Sequence, residues 1–300
     1  MERVKLNDNL EFSRIVQGIW RLAEWKMTSK EILELVEKCM DIGITTFDHA
    51  DIYGDYTCES LFGNAIALKP EVREKMQIVT KCGIKLISQN RPEHKIKYYD
   101  TSKEHIIKSV NNSLQNLQTD YIDVLLIHRP DPFMNPEEVA EAFSKLKKEG
   151  KVLNFGVSNF KPSQFNMLSS YLEFPLVTNQ IEISVMNLQG FQDGSIDQCL
   201  EKRILPMAWS PLSGGKIFNL KDERTNRLQE TLQKIGTELG VNSIDVIMYA
   251  WLLNHPSKII PIVGSGKIDR IKAAVEATNI NLTTQQWFHI LESSTGKEVD

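Results

Sequence analysis

The chain lacks most of the marks of a membrane, secreted or nucleic-acid-binding protein. In 300 residues no run approaches the roughly 18 consecutive apolar residues of a membrane span. The amino terminus reads Met1-Glu2-Arg3-Val4-Lys5 and has none of the apolar stretch of a secretory leader. Cysteine is scarce: Cys39, Cys58, Cys82 and Cys199 form no C-x-x-C pair, and no His–Cys spacing suggests zinc. Reduced thiols in a cytoplasm are therefore expected. Positive charge is not in excess, because 35 Lys and Arg against 39 Asp and Glu leave a net charge of −4. That removes the electrostatic footprint of a nucleic-acid binder. Linkers, low-complexity segments and shifts of composition are also missing, so residues 1–300 read as one domain.

What is present is an ordinary globular composition, 41% hydrophobic and 25% charged, which excludes global disorder. Along the chain a short β-branched run, a turn and an amphipathic segment recur about every 30 residues. The runs are 14–18, 44–47, 76–80, 122–127, 152–157, 176–180, 204–209 and 259–263. Thr28 with Glu31 predicts a capping box, Thr101 with Glu104 another helix start, and Asn135 before Pro136 a third. Eight alternating units in this length predict an α/β fold, a closed (β/α)8 TIM barrel. Two pieces fall outside the repeat. Val4 to Phe12, turning at Asn7-Asp8-Asn9, predicts an N-terminal β-hairpin that closes the barrel bottom. Thr283 with Gln286 predicts an extra C-terminal helix on the outside. Pro206 and Pro261 interrupt two strand runs and are expected near strand entrances or bulges.

In such a barrel chemistry sits where strands end and βα loops begin. Those positions hold Gly18 and Trp20, Asp48 to Gly54, Lys81, His128, Ser158 and Asn159, Gln180, Trp209 and Ser210, then Gly264-Ser265-Gly266. Four of them make a chemically sensible group. An ammonium within about 4–6 Å of a phenol favours the phenolate, so Lys81 is expected to lower the pKa of Tyr53. Asp48 can hold that lysine through a charge-assisted bond. His128 can donate to a carbonyl oxygen, and Tyr53 can give the proton. Taken singly, each has an ordinary reading as a cap, a solvated strand end or a packed ring. Gly264, Ser265, Gly266, Lys267 and Arg270 open a helix and suit one extra phosphate. Too little chain follows for a dinucleotide-binding βαβ unit. Gly214-Gly215-Lys216 copies part of a P-loop, but Ser210 stands where glycine is required. Trp209 offers a flat face for a nicotinamide ring.

These stretches resemble the aldo-keto reductase family, in family order and over nearly the whole chain. The matching segments are Phe47-Asp48-His49-Ala50-Asp51-Ile52-Tyr53-Gly54, Lys81-Cys82-Gly83, Leu125-Leu126-Ile127-His128-Arg129-Pro130 and Gly156-Val157-Ser158-Asn159-Phe160. Asn179-Gln180, Trp209-Ser210-Pro211-Leu212 and Pro261-Ile262-Val263-Gly264-Ser265-Gly266 complete the set, and the bacterial NADP-dependent oxidoreductase branch is the nearest likeness. The resemblance implies NADPH-dependent reduction of an aldehyde or ketone without a metal. It makes Tyr53 the general acid, Lys81 its activator, Asp48 the partner of Lys81 and His128 the carbonyl-orienting donor. It places the nicotinamide carboxamide on Ser158, Asn159 and Gln180, and the ring on Trp209. It gives the pyrophosphate to Ser210, Leu212 and Lys216, and the adenosine phosphate to Ser265 and Arg270, with Gly18 and Trp20 at the border. Three positions depart from the family pattern: His49 where a small residue is common, Ala274 where many members carry an amide, and Gly264 where some branches are basic. The segment from Lys85 to Asp100 is long, basic and aromatic, and suits a pocket wall or lid.

Two other readings stay open from sequence. One is a metal-dependent hydrolase with Asp48, His49, Asp51 and His128 as ligands, against which Lys81 would oppose a cation. The other is an NADP-binding regulatory protein with weak turnover. The expected partner is a small carbonyl compound, with neither nucleic acid nor membrane. A monomer is the favoured state.

Overall fold

A computed structural model describes residues 1–299. Its first elements are the hairpin strands β1 (Arg3–Asn7) and β2 (Leu10–Ser13), which pair antiparallel. The barrel strands are β3 (Val16–Gly18), β4 (Thr46–Asp48), β5 (Gln77–Cys82), β8 (Ile122–Ile127), β9 (Val152–Ser158), β10 (Asn179–Glu182), β11 (Met207–Trp209) and β12 (Ile260–Val263). They close in that order, all parallel, with β12 pairing back to β3. Between β5 and β8 lies a small antiparallel ribbon, β6 (Ile84–Lys85) with β7 (Tyr98–Tyr99). No helix among the described residues is long and apolar enough to cross a membrane.

Period-two alternation sorts the strand side chains into two cores. Val16, Val79, Val124, Leu126, Met207, Ile260 and Ile262 fill the lumen. Val4, Leu10 and Phe12 of the hairpin join that cluster, so the hairpin plugs the bottom of the barrel as expected. Asn7 fixes it there by donating to Asn154 at 2.8 Å, and Arg3 by donating to Thr45 at 2.6 Å. The outward side chains pack against the helix layer in two further clusters. Cys39 and Cys82 lie fully inside these clusters.

Helix starts follow their caps. Thr28 and Glu31 form the capping box of the helix Ser29–Asp41. Asn135 caps Pro136–Lys148 with proline in the first turn. The third start differs by one residue: Ser102, not Thr101, caps Lys103–Leu117 by accepting from His105 N–H. Thr101 instead donates to Asp131 at 2.7 Å, a long-range bond that outcompetes the local cap. The sixth and seventh barrel strands begin three residues later than the apolar runs suggested, at Asn179 and Met207. Pro206 therefore lies at a strand entrance, where its carbonyl accepts from Ile260 N–H at 2.8 Å. Pro261 lies within β12, but pairing to β3 begins only at Ile262. The last helix, Thr284–Thr295, has the expected Thr283–Gln286 box. It docks through Trp287, stacked on Trp251 with ring centroids 4.8 Å apart, and each indole N–H donates to the other residue's carbonyl.

Candidate active site

Successive residues on β5 divide two polar systems. Thr80 faces the helix layer and donates to buried Glu59 at 2.7 Å. Lys81 faces the other way. Its ammonium donates to Asp48 Oδ2 at 2.8 Å, to the His49 carbonyl at 2.7 Å and to Tyr53 Oη at 3.0 Å. All three acceptors sit at or just past the end of β4, so one strand end saturates the cation. Such a pair is fragile: removing one member would leave a buried charge, typically worth about 3–5 kcal/mol. His128 closes the group, its ring edge-on to Tyr53 at 5.9 Å between centroids. The four residues singled out from sequence are thus brought together.

The electrostatics differ from the expectation for Tyr53. Burial raises the phenol pKa, Lys81 opposes that, and Asp48 adds to it; the net position is above the ordinary value of 10.0. Lys81 is where it was expected, but it only offsets the desolvation of Tyr53, and the phenol keeps its proton at neutral pH. Lys81 is itself pushed down by burial, but Asp48 and Tyr53 outweigh this and hold it above 10.5. His128 is driven well below 6.5 by burial and by the neighbouring Lys81, so its ring is neutral. Its Nδ1 is sealed from solvent with no partner.

Gln180 belongs to this group in a way the sequence did not reveal. Its amide N–H donates to Asp48 Oδ1 at 2.7 Å, so Asp48 is gripped from both sides. Ser158 donates to the Gln180 carbonyl at 2.9 Å, Asn159 donates to Ser158 at 2.8 Å, and Trp209 Nε1 donates to Asn159 Oδ1 at 3.0 Å. The Arg129 guanidinium lies over the Trp209 ring at 5.5 Å. Beside Asn159 and Trp209 opens a cavity of about 310 Å³, walled by Arg129, Lys161, Glu182 and Asp193.

The remaining candidates sit on the loops at the same barrel mouth. Ser210, Leu212 and Lys216 follow β11, with Lys216 exposed. Gly264, Ser265, Gly266, Lys267 and Arg270 follow β12, and Lys267 and Arg270 are exposed around the start of the helix Ile268–Glu276. Gln17 ties this loop to the barrel by donating to the Ser265 carbonyl at 3.0 Å. Gly264 faces open space, whereas a Cβ on Gly266 would strike the Trp25 ring at 2.7 Å. The second glycine is therefore required for packing. Gly18 is buried, and Trp20, just beyond β3, is exposed. The hydrolase ligand set does not assemble. His49 is fully buried edge-on to Phe62, with its pKa down to about 3 through burial and Lys81. Asp51 points to Ser109, and among the described residues no three His, Cys, Asp or Glu side chains come together as a metal-holding group.

The family model of the aldo/keto reductases matches residues 14–294. The chain belongs to the aldo/keto reductase family. It is 56% identical over 299 residues to the uncharacterized oxidoreductase YcsN of Bacillus subtilis, covering all of both chains. It is 44% identical over 300 residues to the 6-dehydroglucose reductase of Agrobacterium fabrum, again covering all of both. Among solved structures, the thermostable aldo-keto reductase Tm1743 with the inhibitor epalrestat superposes with a TM-score of 0.83 at 26% identity, covering 98% of this chain and 100% of that one. The reductase fold and the family reading of the sequence thus agree.

Proposed function

We propose that this reductase converts an aldehyde or ketone to the alcohol, with NADPH supplying the hydride and Tyr53 the proton. The observation that carries the reading is the Tyr53 hydroxyl 3.0 Å from Lys81 Nζ, with the His128 ring edge-on beside it at 5.9 Å between centroids. In the reductive direction the group facing the carbonyl has to carry a proton, and a raised phenol pKa keeps it there. As Tyr53 gives up that proton, Lys81 stabilises the phenolate, and Asp48 and Gln180 hold Lys81 in place. With His128 Nδ1 sealed, Nε2 is the ring nitrogen left to meet the substrate oxygen. As an N–H donor it polarises the carbonyl and steadies the developing alkoxide.

The donor set suits the coenzyme. Ser158, Asn159 and Gln180 form a pre-organised amide and hydroxyl chain for a carboxamide. Ser210, Leu212 and Lys216 would take the pyrophosphate, and Ser265, Lys267 and Arg270 the extra phosphate that distinguishes NADPH from NADH. Gly18, Trp20 and Gly264 would border it. The substrate we infer is polyhydroxylated: the cavity wall carries charges of both signs next to the flat Trp209 ring, and one relative acts on a sugar-derived carbonyl compound, as its name states.

The test is Tyr53→Phe. Turnover of NADPH with a panel of sugar aldehydes and ketones should fall by about 10²–10⁴-fold, while NADPH binding, read by fluorescence, stays at the wild-type level. Turnover at the wild-type level in the variant would remove Tyr53 from the acid role.

A further inference from the structure

Directly after Tyr53 the backbone enters a left-handed conformation at three consecutive residues, Gly54 (φ +57°), Asp55 (φ +56°) and Tyr56 (φ +67°). Glycine adopts this conformation freely and aspartate can visit it, but Tyr56 is bulky, and a left-handed backbone there typically costs about 1–2 kcal/mol. Strain of this kind persists only where the surroundings over-determine it. Here the surroundings are the segment between the ribbon strands β6 and β7. The Leu86 N–H donates to Tyr56 Oη at 2.8 Å. The Arg91 guanidinium covers the Tyr56 ring at 4.5 Å, and the His94 ring meets it at 6.3 Å between centroids. Asn90 donates to the Asp55 carbonyl at 2.9 Å. His94 in turn bonds through Nδ1 to the Leu86 carbonyl at 2.8 Å, so the gripping segment is braced internally. Its two ends are closed by the Ile84–Tyr99 and Lys85–Tyr98 pairs.

We propose that Tyr56 is a positioning residue for catalysis. The segment 86–94 clamps it, holds the strained turn 54–56 in place, and so sets the Tyr53 hydroxyl against Lys81. This rests on the reading of Tyr53 as the acid. The contacts converge on a ring three residues from the reacting phenol and on the carbonyl between them. The turn carries unfavourable backbone energy at the point where the Tyr53 main chain leaves the site. Without the clamp the turn relaxes, and the phenol moves relative to the ammonium. A displacement of about 1 Å is enough to lower a rate roughly 10²-fold.

The experiment compares wild type, Tyr53→Phe, Tyr56→Phe and Tyr56→Ala, each as the full chain with NADPH and a reducible aldehyde. Tyr56→Ala is expected to lose about 10–100-fold in kcat, with KM and NADPH affinity within about twofold of wild type. Its solvent deuterium isotope effect on kcat should rise, because proton delivery from a displaced Tyr53 becomes rate-limiting. Tyr56→Phe keeps the ring under Arg91 and loses only the Leu86 bond, so it should recover most of that loss. If Tyr56→Ala does not fold, Tyr56→Phe still carries the test through a few-fold fall in kcat with a raised isotope effect. Wild-type kcat and isotope effect in every Tyr56 variant that folds would overturn the proposal. So would a parallel fall of kcat, coenzyme affinity and thermal midpoint in Tyr56→Phe, which marks general loosening. Failure of the underlying reading is separate: it is seen as turnover surviving in Tyr53→Phe.

Discussion

Asp51 is the place where the fold carries an avoidable electrostatic burden, and replacing it with asparagine makes that burden measurable. The carboxylate is part-buried behind the site; Oδ2 accepts from Ser109 at 2.8 Å, and Oδ1 is sealed without a partner. Burial first, and the neighbouring Glu59 carboxylate second, lift its pKa from 3.8 to about 7, against the pull of the Ser109 bond and of Lys85. A carboxyl whose folded pKa lies above its unfolded one weakens the fold as pH rises. The loss begins near the unfolded pKa and is complete once pH exceeds the folded one. A difference of about three pH units corresponds to a ceiling of roughly 4 kcal/mol. Relaxation around the charge should leave roughly 2–3 kcal/mol of this. Asp51→Asn is uncharged at every pH and keeps an acceptor for Ser109. It should match wild type near pH 4, be more stable by roughly 2–3 kcal/mol near pH 8, and raise the thermal midpoint there by about 3–5 °C. Paired thermal or urea melts of both proteins across that range measure the difference. A gain equal at both ends of the range, or a variant less stable than wild type near pH 8, would refute the reasoning.

Other outcomes follow from the same structure. With Tyr53 and Lys81 raised and His128 lowered, none of the three changes charge between about pH 6 and pH 9, so reductive kcat should be flat there and decline only in stronger alkali. A limb near neutrality that survives Asp51→Asn would contradict this. Asp123→Ala should cost about 3–5 kcal/mol in urea unfolding, because the Asp123 carboxylate accepts from both Arg73 Nη2 and Ile78 N–H at 2.9 Å. Asp123→Asn should lose less, since it can still accept from Ile78; equal losses would show that the bond to Ile78 contributes nothing and the ion pair everything. Gln180→Ala frees one oxygen of Asp48 and is expected to lower kcat about tenfold with little change in unfolding free energy, and an unchanged kcat would remove Gln180 from the support of Lys81.

The barrel was legible because each strand has to bury both faces in different cores, and apolar runs such as Ile122 to Ile127 record that directly. The strand starts at Asn179 and Met207 were less legible. Apolar residues such as Leu176 and Leu205 are packed ahead of the strands they precede, outside the strand proper, and composition does not separate packing from pairing. At the site, the grouping of Asp48, Tyr53, Lys81 and His128 could be read because strand ends in a closed barrel are forced together. The sign of the Tyr53 shift could not, since it depends on how much solvent is removed against how close the cation lies, and both are three-dimensional quantities. The same limit hid the second grip on Asp48. Gln180 looked like a coenzyme contact at the end of its strand, and only the register across the barrel brings its amide to a carboxylate 132 residues earlier. Asp55 and Tyr56 left no sequence trace of their left-handed backbone, because the residues that enforce it, Leu86, Asn90, Arg91 and His94, lie in an irregular segment without periodicity. Barrel topology assembles the chemical group from short, separate signals, while the features that tune it arise from side chains of the second polar layer and from connecting segments. Substitutions in that layer, at Asp51, Tyr56 or Gln180, are therefore the ones that distinguish a group merely collected at the mouth from one held for proton transfer.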